Sequence, residues 1–288
     1  MNEFDKKSAK SSFPFGSGSR KGFKSSFHNQ DVEMETSELK EIEIKKNKKV
    51  DQIYKKSSES MSELEDNSIA LTVTSPPYNV DKESDNSLSD SEYWKLMNSC
   101  FEEVYRVTQP GGRVVVNIAN LGRKPYDPLN KKFTDLLISI GFLMRGEIIW
   151  QKSKGANANF AWGSWMSASN PVLRDIHEYC LVFSKNSFKR QVTGTSTISK
   201  EDFMESTLSI WNIAPEKAKK IGHPAPFPVE LPKKFIELYS FKEDVILDPF
   251  IGSGSTAIAA KLLNRHFIGY EISEEYIELA NIRLQETN

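Results

Sequence analysis

The sequence predicts an α/β fold, a doubly wound and mostly parallel sheet with helices on both faces. Three observations predict it. Short apolar runs of strand length alternate with helical segments, first over 69–150 and again over 223–285. Two of the apolar runs end abruptly in turn-forming residues, Ser75-Pro76-Pro77-Tyr78 after one and Gly252-Ser253-Gly254 after the other. Between the two blocks the periodicity lapses over much of 151–222, which reads as an insertion into the alternating pattern.

Taken in order, residues 1–48 read as an irregular arm. Every charge from Lys6 to Lys24 is basic, and Phe13, Phe15, Phe23 and Phe27 are interleaved with them. Such an arm is either a solvated tail or a contact for a nucleic-acid backbone. Alternation at 41–44 and the apolar stretch 50–54 allow short strands, and 60–64 reads as a short helix. The run 69–73 is a buried strand. Pro76 and Pro77 end it, because neither has an N–H to give to a sheet ladder. Residues 80–92 are acidic and read as a loop.

Apolar residues at Tyr93, Leu96, Met97, Phe101, Val104 and Val107 repeat with helical spacing, and 109–112, Gln-Pro-Gly-Gly, ends that helix. A buried strand over 113–118, a helix over 133–140 stopped by Gly141, and a strand over 146–150 follow. The strand 177–183 interrupts the irregular region. After Pro224, Pro226 and Pro228 come a helix through Tyr239, a strand 244–248, a helix from Ser255, a strand 266–271 and a closing helix over 276–284.

The net charge is −1, so no global field attracts a polyanion and any basic surface is local. Cys100 and Cys180 are far apart and in no metal-ligand spacing, so they read as reduced thiols of a cytoplasmic protein. No stretch approaches the roughly 18 apolar residues of a membrane span, and the basic N-terminus lacks the apolar run of a signal peptide.

The chemistry lies in the two turns. Strand, Gly252-x-Gly254, helix, strand and then Glu271 is a nucleoside-cofactor arrangement. Glycine permits the tight turn, the helix start offers N–H groups to an anion, and a strand-end carboxylate accepts from ribose hydroxyls. The plainer reading is a tight turn and a solvated acid in any α/β protein. In the first turn, a hydroxyl, a stiff pair of prolines with free carbonyls and an aromatic ring suit a flat ring bearing an amine.

Together, Ser75-Pro76-Pro77-Tyr78 and Asp248-Pro249-Phe250-x-Gly252-Ser253-Gly254 resemble the motifs of the amino-group DNA methyltransferases. Their order is similar to that of the circularly permuted beta class, over roughly residues 50–285. Ser in front of Pro-Pro-Tyr resembles the N4-cytosine members, whereas N6-adenine members more often carry an acid or amide there.

The resemblance implies a Rossmann-like methyltransferase sheet, S-adenosylmethionine as donor and double-stranded DNA as substrate. It implies four parts: the arm 1–48, a catalytic half 49–150, a target-recognition insertion 151–222 that includes a core strand near 177–183, and a donor-binding half 223–288. Ser75, Pro76, Pro77 and Tyr78 carry over as catalytic residues. Asp248, Phe250, Gly252, Gly254, Ser255, Thr256, Glu271, His223 and Phe227 carry over to the donor site. The family often places Gly-Asp-Ser upstream of the Pro-Pro-Tyr strand, its Asp contacting the adenine ring; here Lys55-Lys56-Ser57-Ser58 stands there, with the acid absent and Ser57 or Ser58 as its substitute.

The expected reaction is direct attack of the N4 amine of a flipped-out cytosine on the donor methyl, with no covalent nucleophile, since neither Cys follows a proline. Lys152, Lys154, Trp162, Trp165, Arg174, Lys189 and Arg190 are candidate DNA contacts, each also readable as core or solvated surface. His177-Glu178 is open to an acid–base or a structural reading. The rivals are adenine N6 as target, RNA as substrate, and a non-catalytic DNA-binding protein on this scaffold. A cognate restriction endonuclease is a partner that the resemblance accommodates.

Overall fold

The computed structural model describes residues 36–79, 88–122, 125–152, 163–216 and 227–287. The arm up to residue 35, His223, Lys154 and Trp162 lie outside the described residues. In chain order the elements are α1 (Thr36–Glu41), β1 (Gln52–Lys55), β2 (Ile69–Thr74), α2 (Asp90–Val107), β3 (Thr108–Ile118), α3 (Leu129–Ile140), β4 (Phe142–Gln151) and β5 (His177–Lys185). Then follow α4 (Lys200–Ser206), β6 (Ile210–Asn212), α5 (Glu230–Tyr239), β7 (Val245–Asp248), α6 (Ser255–Leu262), β8 (His266–Glu271) and α7 (Glu274–Glu286).

The strands form one sheet in the order β1-β8-β7-β2-β3-β5-β4-β6. All run the same way except β5, which is antiparallel to both β3 and β4. β2 therefore lies in the middle, between β7 and β3, and is buried along its whole length. One face of the sheet packs against α2 and α3 through Met97, Phe101, Val104, Phe133 and Leu137. The other packs against α5 and α6 through Leu231, Phe235, Ile236, Ala257 and Ala260. Each large apolar side chain so buried contributes about 1.5–3 kcal/mol.

Several expectations are corrected. The acidic residues Asp90 and Glu92 form the first turn of α2, not a loop. Ser89 caps that helix in a capping box with Glu92, and acids at a helix start face the positive dipole end. Gln109-Pro110-Gly111-Gly112 belongs to β3 rather than to a helix-ending loop. It bulges there, since Ile69 pairs with Thr108 while Leu71 pairs with Arg113. Gly111, at φ +73°, is needed at the bulge because a Cβ would lie 2.2 Å from the Lys189 carbonyl oxygen.

Residues 41–44 form no strand, and 36–41, expected to be irregular, form α1. The helix expected at 60–64 is a turn. Arg106 accounts for this by donating to the carbonyls of Met61 (2.9 Å) and Leu64 (3.1 Å), which holds the segment against α2. Within 184–216, expected to be irregular, α4 forms and β6 extends the main sheet beside β4, with Trp211 buried.

Candidate active site

The ends of β1, β8, β7, β2, β3 and β4 line one edge of the sheet, and both motif turns emerge there. β2 leaves the core into Ser75, which is half-buried. Pro76 is buried, Pro77 exposed and Tyr78 half-buried. The turn is fixed from two sides. The Tyr93 hydroxyl, from α2, donates to the Pro77 carbonyl at 2.8 Å. The Ala119 N–H, just past β3, donates to the Tyr78 hydroxyl at 2.7 Å. Burial, and then the nearby charge of Glu178, pushes the Tyr78 phenol far above its ordinary range.

β7 runs beside β2, with Leu71 opposite Ile246 and Thr72 opposite Leu247. Its last residue, Asp248, is only 1% exposed. The Asp248 carboxylate accepts from the Thr256 hydroxyl at 2.7 Å and from the Phe250 N–H at 3.1 Å. Thr256 also donates to the Val73 carbonyl at 3.3 Å, so the start of α6 is tied to the strand that carries the other motif. Burial pushes the Asp248 carboxyl up to about 6.

Gly252 (φ +48°) and Gly254 (φ +83°) both adopt the left-handed conformation that the turn requires. A Cβ on Gly254 would lie 2.9 Å from the Ala280 Cβ of α7. The Gly252 N–H donates to Glu271 Oε2 at 3.1 Å. The Ile272 and Ser273 N–H groups donate to Glu271 Oε1 at 2.9 and 2.8 Å. Glu271 is thereby aimed at the end of β8, directly beside the turn.

These groups fit a nucleoside-bearing donor. A fixed carboxylate, a glycine turn and the N–H groups that open α6 all sit on one edge. Lys55 of β1 pairs in register with Glu271, which brings Ser57 to the same edge. The Ser57 hydroxyl donates to Glu59 at 2.9 Å, whereas Ser58 is buried and turned to Cys100. Phe227 is half-buried against the core under α5.

The predicted DNA contacts separate. Trp165 is 65% exposed and Arg174 is exposed, both in the 163–176 segment. Lys152, past the end of β4, forms an ion pair with Glu178. Lys189 and Arg190 follow the end of β5, and because β5 is antiparallel they sit at the opposite edge of the sheet from Ser75. Arg190 is paired with Asp244 and lies 5.0 Å over the Phe241 ring, so it braces the start of β7. The expectation that Arg190 contacts DNA is corrected on that ground.

Two features were missed in the sequence. Arg283 of α7 donates to the Ser253 carbonyl at 2.5 Å and hydroxyl at 3.0 Å, gripping the glycine turn from behind, and it faces Glu216 at 3.8 Å. An Arg late in a terminal helix gives no local signal of this. The other is a buried polar cluster. Asn117 of β3 donates to Glu178 Oε2 at 2.6 Å and accepts from Cys180 at 3.3 Å.

The DNA methylase family that groups the N6 and N4 enzymes matches residues 69–282. The chain belongs to this family. The methyltransferase M.MthZI, a Type II enzyme of Methanothermobacter thermautotrophicus, is 32% identical over 276 residues, covering 82% of this chain and 76% of that protein. Type II methyltransferase M.MjaI of Methanocaldococcus jannaschii is 31% identical over 259 residues, covering 74% of this chain and 84% of that protein. Among solved structures, TTHA0409 of Thermus thermophilus, described as a DNA modification methylase and complexed with S-adenosyl-L-methionine, superimposes with a TM-score of 0.65. It is 28% identical and covers 82% of this chain and 95% of its own. The cytosine-N4-specific PvuII DNA methyltransferase has the same fold, with a TM-score of 0.65 at 22% identity, over 80% of this chain and 85% of its own. An N6/N4 methylase of this kind is an S-adenosylmethionine-dependent DNA methyltransferase, and its sheet is the Rossmann-like one of those structures.

Proposed function

We propose that this methylase transfers the methyl group of S-adenosylmethionine to the N4 amine of a flipped-out cytosine in duplex DNA, as the modification enzyme of a restriction-modification system. The observation that carries the site is the Ser75–Tyr78 turn beside the Asp248–Gly254 turn, joined through Thr256 and Val73. Ser75 in place of an acid or amide carries the choice of cytosine. The names of the Type II relatives support the modification role.

When bound, the donor supplies an electrophilic sulfonium methyl. Glu271 holds its ribose hydroxyls, and the N–H groups of Ser255 and Thr256 face its carboxylate. Asp248, Phe250, Gly252, Gly254, Ser57, Phe227 and His223 complete that half. On the other half, the Ser75 hydroxyl and the Pro76 carbonyl accept the two amine hydrogens. This weakens conjugation of the lone pair into the ring and points it at the methyl group. Tyr93 already holds the Pro77 carbonyl, which fixes the aim of the turn. The Tyr78 ring stacks on the extruded base and offsets part of its unstacking cost. Residues 151–222 form the target-recognition region, with Trp165, Arg174, Lys154 and Trp162 as its DNA-facing candidates; Lys189 lies at the far edge and Lys152 is held by Glu178.

Digestion of DNA from cells expressing the protein, followed by nucleoside analysis, tests the reading. N4-methylcytosine is expected. N6-methyladenine alone would overturn the choice of base but keep the site, and full activity in Ser75→Ala would overturn the site.

A further inference from the structure

Methylation of an exocyclic amine releases a proton, and the turn that holds the amine has no base. Ser75 and Pro76 offer a hydroxyl and a carbonyl. The Tyr78 phenol is pushed far above its ordinary range by burial and by Glu178, so it keeps its proton. The same holds for the Cys180 thiol, raised by complete burial and by Glu178. Asp248 lies on the donor side, bonded to Thr256 and Phe250.

Glu178 stands in a different position. β5 is antiparallel, so its first residues reach the edge where β2 and β3 end. Thr74 pairs with Val116, which puts Ser75 and Asn117 at the next matching positions of their strands. Asn117 pairs with Cys180, and Glu178 pairs with Trp150. By the two-residue alternation of strands, Ser75, Asn117, Glu178 and Lys152 form a row on one face. The Glu178 residue is 9% exposed, accepts from Asn117 at 2.6 Å and pairs with Lys152, whose side chain is 29% exposed. Among the described residues, Lys152 just past β4, Tyr78 from the motif turn, and Cys180 on its own strand are the titratable groups that face it. Three strands thus converge to hold one carboxylate beside the Ser75–Tyr78 turn. A buried ion pair is a costly way to pin strand ends, and apolar residues would do that as well.

We propose that Glu178, positioned by Asn117 and Lys152, accepts the proton that the target amine sheds on methylation. The inference rests on the proposed placement of the base at the Ser75–Tyr78 turn. The amine lone pair forms the N–C bond while the S–C bond breaks, its electron pair staying on sulfur. The nitrogen, now positively charged, gives the hydrogen that faces Ser75 to the Ser75 hydroxyl oxygen as that hydroxyl's own proton passes to the Glu178 carboxylate. The carboxyl returns it to water beside Lys152 once the methylated base leaves. Before that transfer, the fixed carboxylate also stabilises the positive charge developing on nitrogen.

The test is single-turnover methylation with tritiated S-adenosylmethionine and genomic DNA from a methylation-free bacterial host. Donor affinity by calorimetry, DNA affinity and melting temperature are measured in parallel. Glu178→Gln is expected to lower the rate about 100-fold, with both affinities within about threefold of wild type. Glu178→Asp is expected to recover part of the rate. The double variant Glu178→Gln/Lys152→Met, which leaves no unpaired lysine, is expected to match Glu178→Gln in rate. A Glu178→Gln rate within threefold of wild type overturns the proposal. So does a rate loss matched by loss of donor and DNA binding, which marks a structural role. Ser75→Ala is the control for the underlying reading. If it is fully active, the placement of the base fails. If it is inactive while Glu178→Gln is not, only the proton acceptor fails.

Discussion

Asp248→Asn is the substitution whose effect on stability follows most directly from the structure. The carboxyl is raised from 3.8 to about 6, chiefly by burial and against the bonds from Thr256 and the Phe250 N–H. A raised acid binds its proton more tightly in the folded than in the unfolded chain. Its contribution is therefore fully present below the unfolded value of 3.8 and is lost as pH rises through about 6. At roughly 1.36 kcal/mol per unit, the apo protein loses about 3 kcal/mol from this group between pH 3 and pH 8. For a folded body of this size, that is a fall of about 6–12 °C in melting temperature.

Asn removes the titration and keeps the shape. Its oxygen still accepts from the Phe250 N–H, and its NH₂ donates to Thr256, whose hydroxyl turns fully to the Val73 carbonyl it already reaches at 3.3 Å. The assay is calorimetric melting of donor-free wild type and Asp248→Asn from pH 4.5 to 8 at fixed ionic strength. The variant is expected to melt higher than wild type at pH 8, with the gap closing towards pH 4.5. Two curves that stay parallel across that range would refute the reasoning. The same variant is expected to bind the donor at least tenfold more weakly, because a charge retained at this cost is retained for binding.

Tyr93→Phe removes the donor to the Pro77 carbonyl; a loss of about 1 kcal/mol is expected in urea unfolding, with a several-fold slower single turnover as the motif turn loosens. Gly254→Val forces a branched residue into the left-handed region at about 1–2 kcal/mol and drives it against Ala280. Donor affinity measured by calorimetry is expected to fall more than tenfold. Arg283→Met frees the Ser253 carbonyl; a loss of about 2 kcal/mol is expected, with donor affinity reduced and DNA affinity unchanged, and unchanged donor affinity would show the grip on the turn to be dispensable.

What the sequence made legible is what neighbours in the chain decide. The proline pair ends β2 because of its own missing N–H groups, and Gly141 (φ +113°) stops α3 because of its own backbone. The 3.6-residue spacing from Tyr93 to Val107 marks α2. Pairings that bring distant segments together leave no such mark. That β5 runs antiparallel is decided by its partners β3 and β4, and it moves Arg190 to the far edge and Glu178 to the near one. The 60–64 segment has helical residues, but Arg106, from α2, takes its carbonyls. Arg190 and Lys152 read as solvated cations until their acidic partners, Asp244 and Glu178, are seen beside them.

The order of the motifs along the chain matters less than the order of the strands. The Ser-Pro-Pro-Tyr turn comes early and the glycine turn late, yet β2 and β7 are neighbours, so the two turns open side by side. Thr256 makes that adjacency a mechanical link. One hydroxyl meets the Asp248 carboxylate, which ends the donor strand, and the Val73 carbonyl, two residues before Ser75. A shift of α6 on donor binding therefore reaches the residue that would hold the target amine through a single hydrogen bond and two peptide units. The link rests on β2 and β7 being neighbours in the sheet and on one hydroxyl between them, and not on the order in which the chain reaches the two turns.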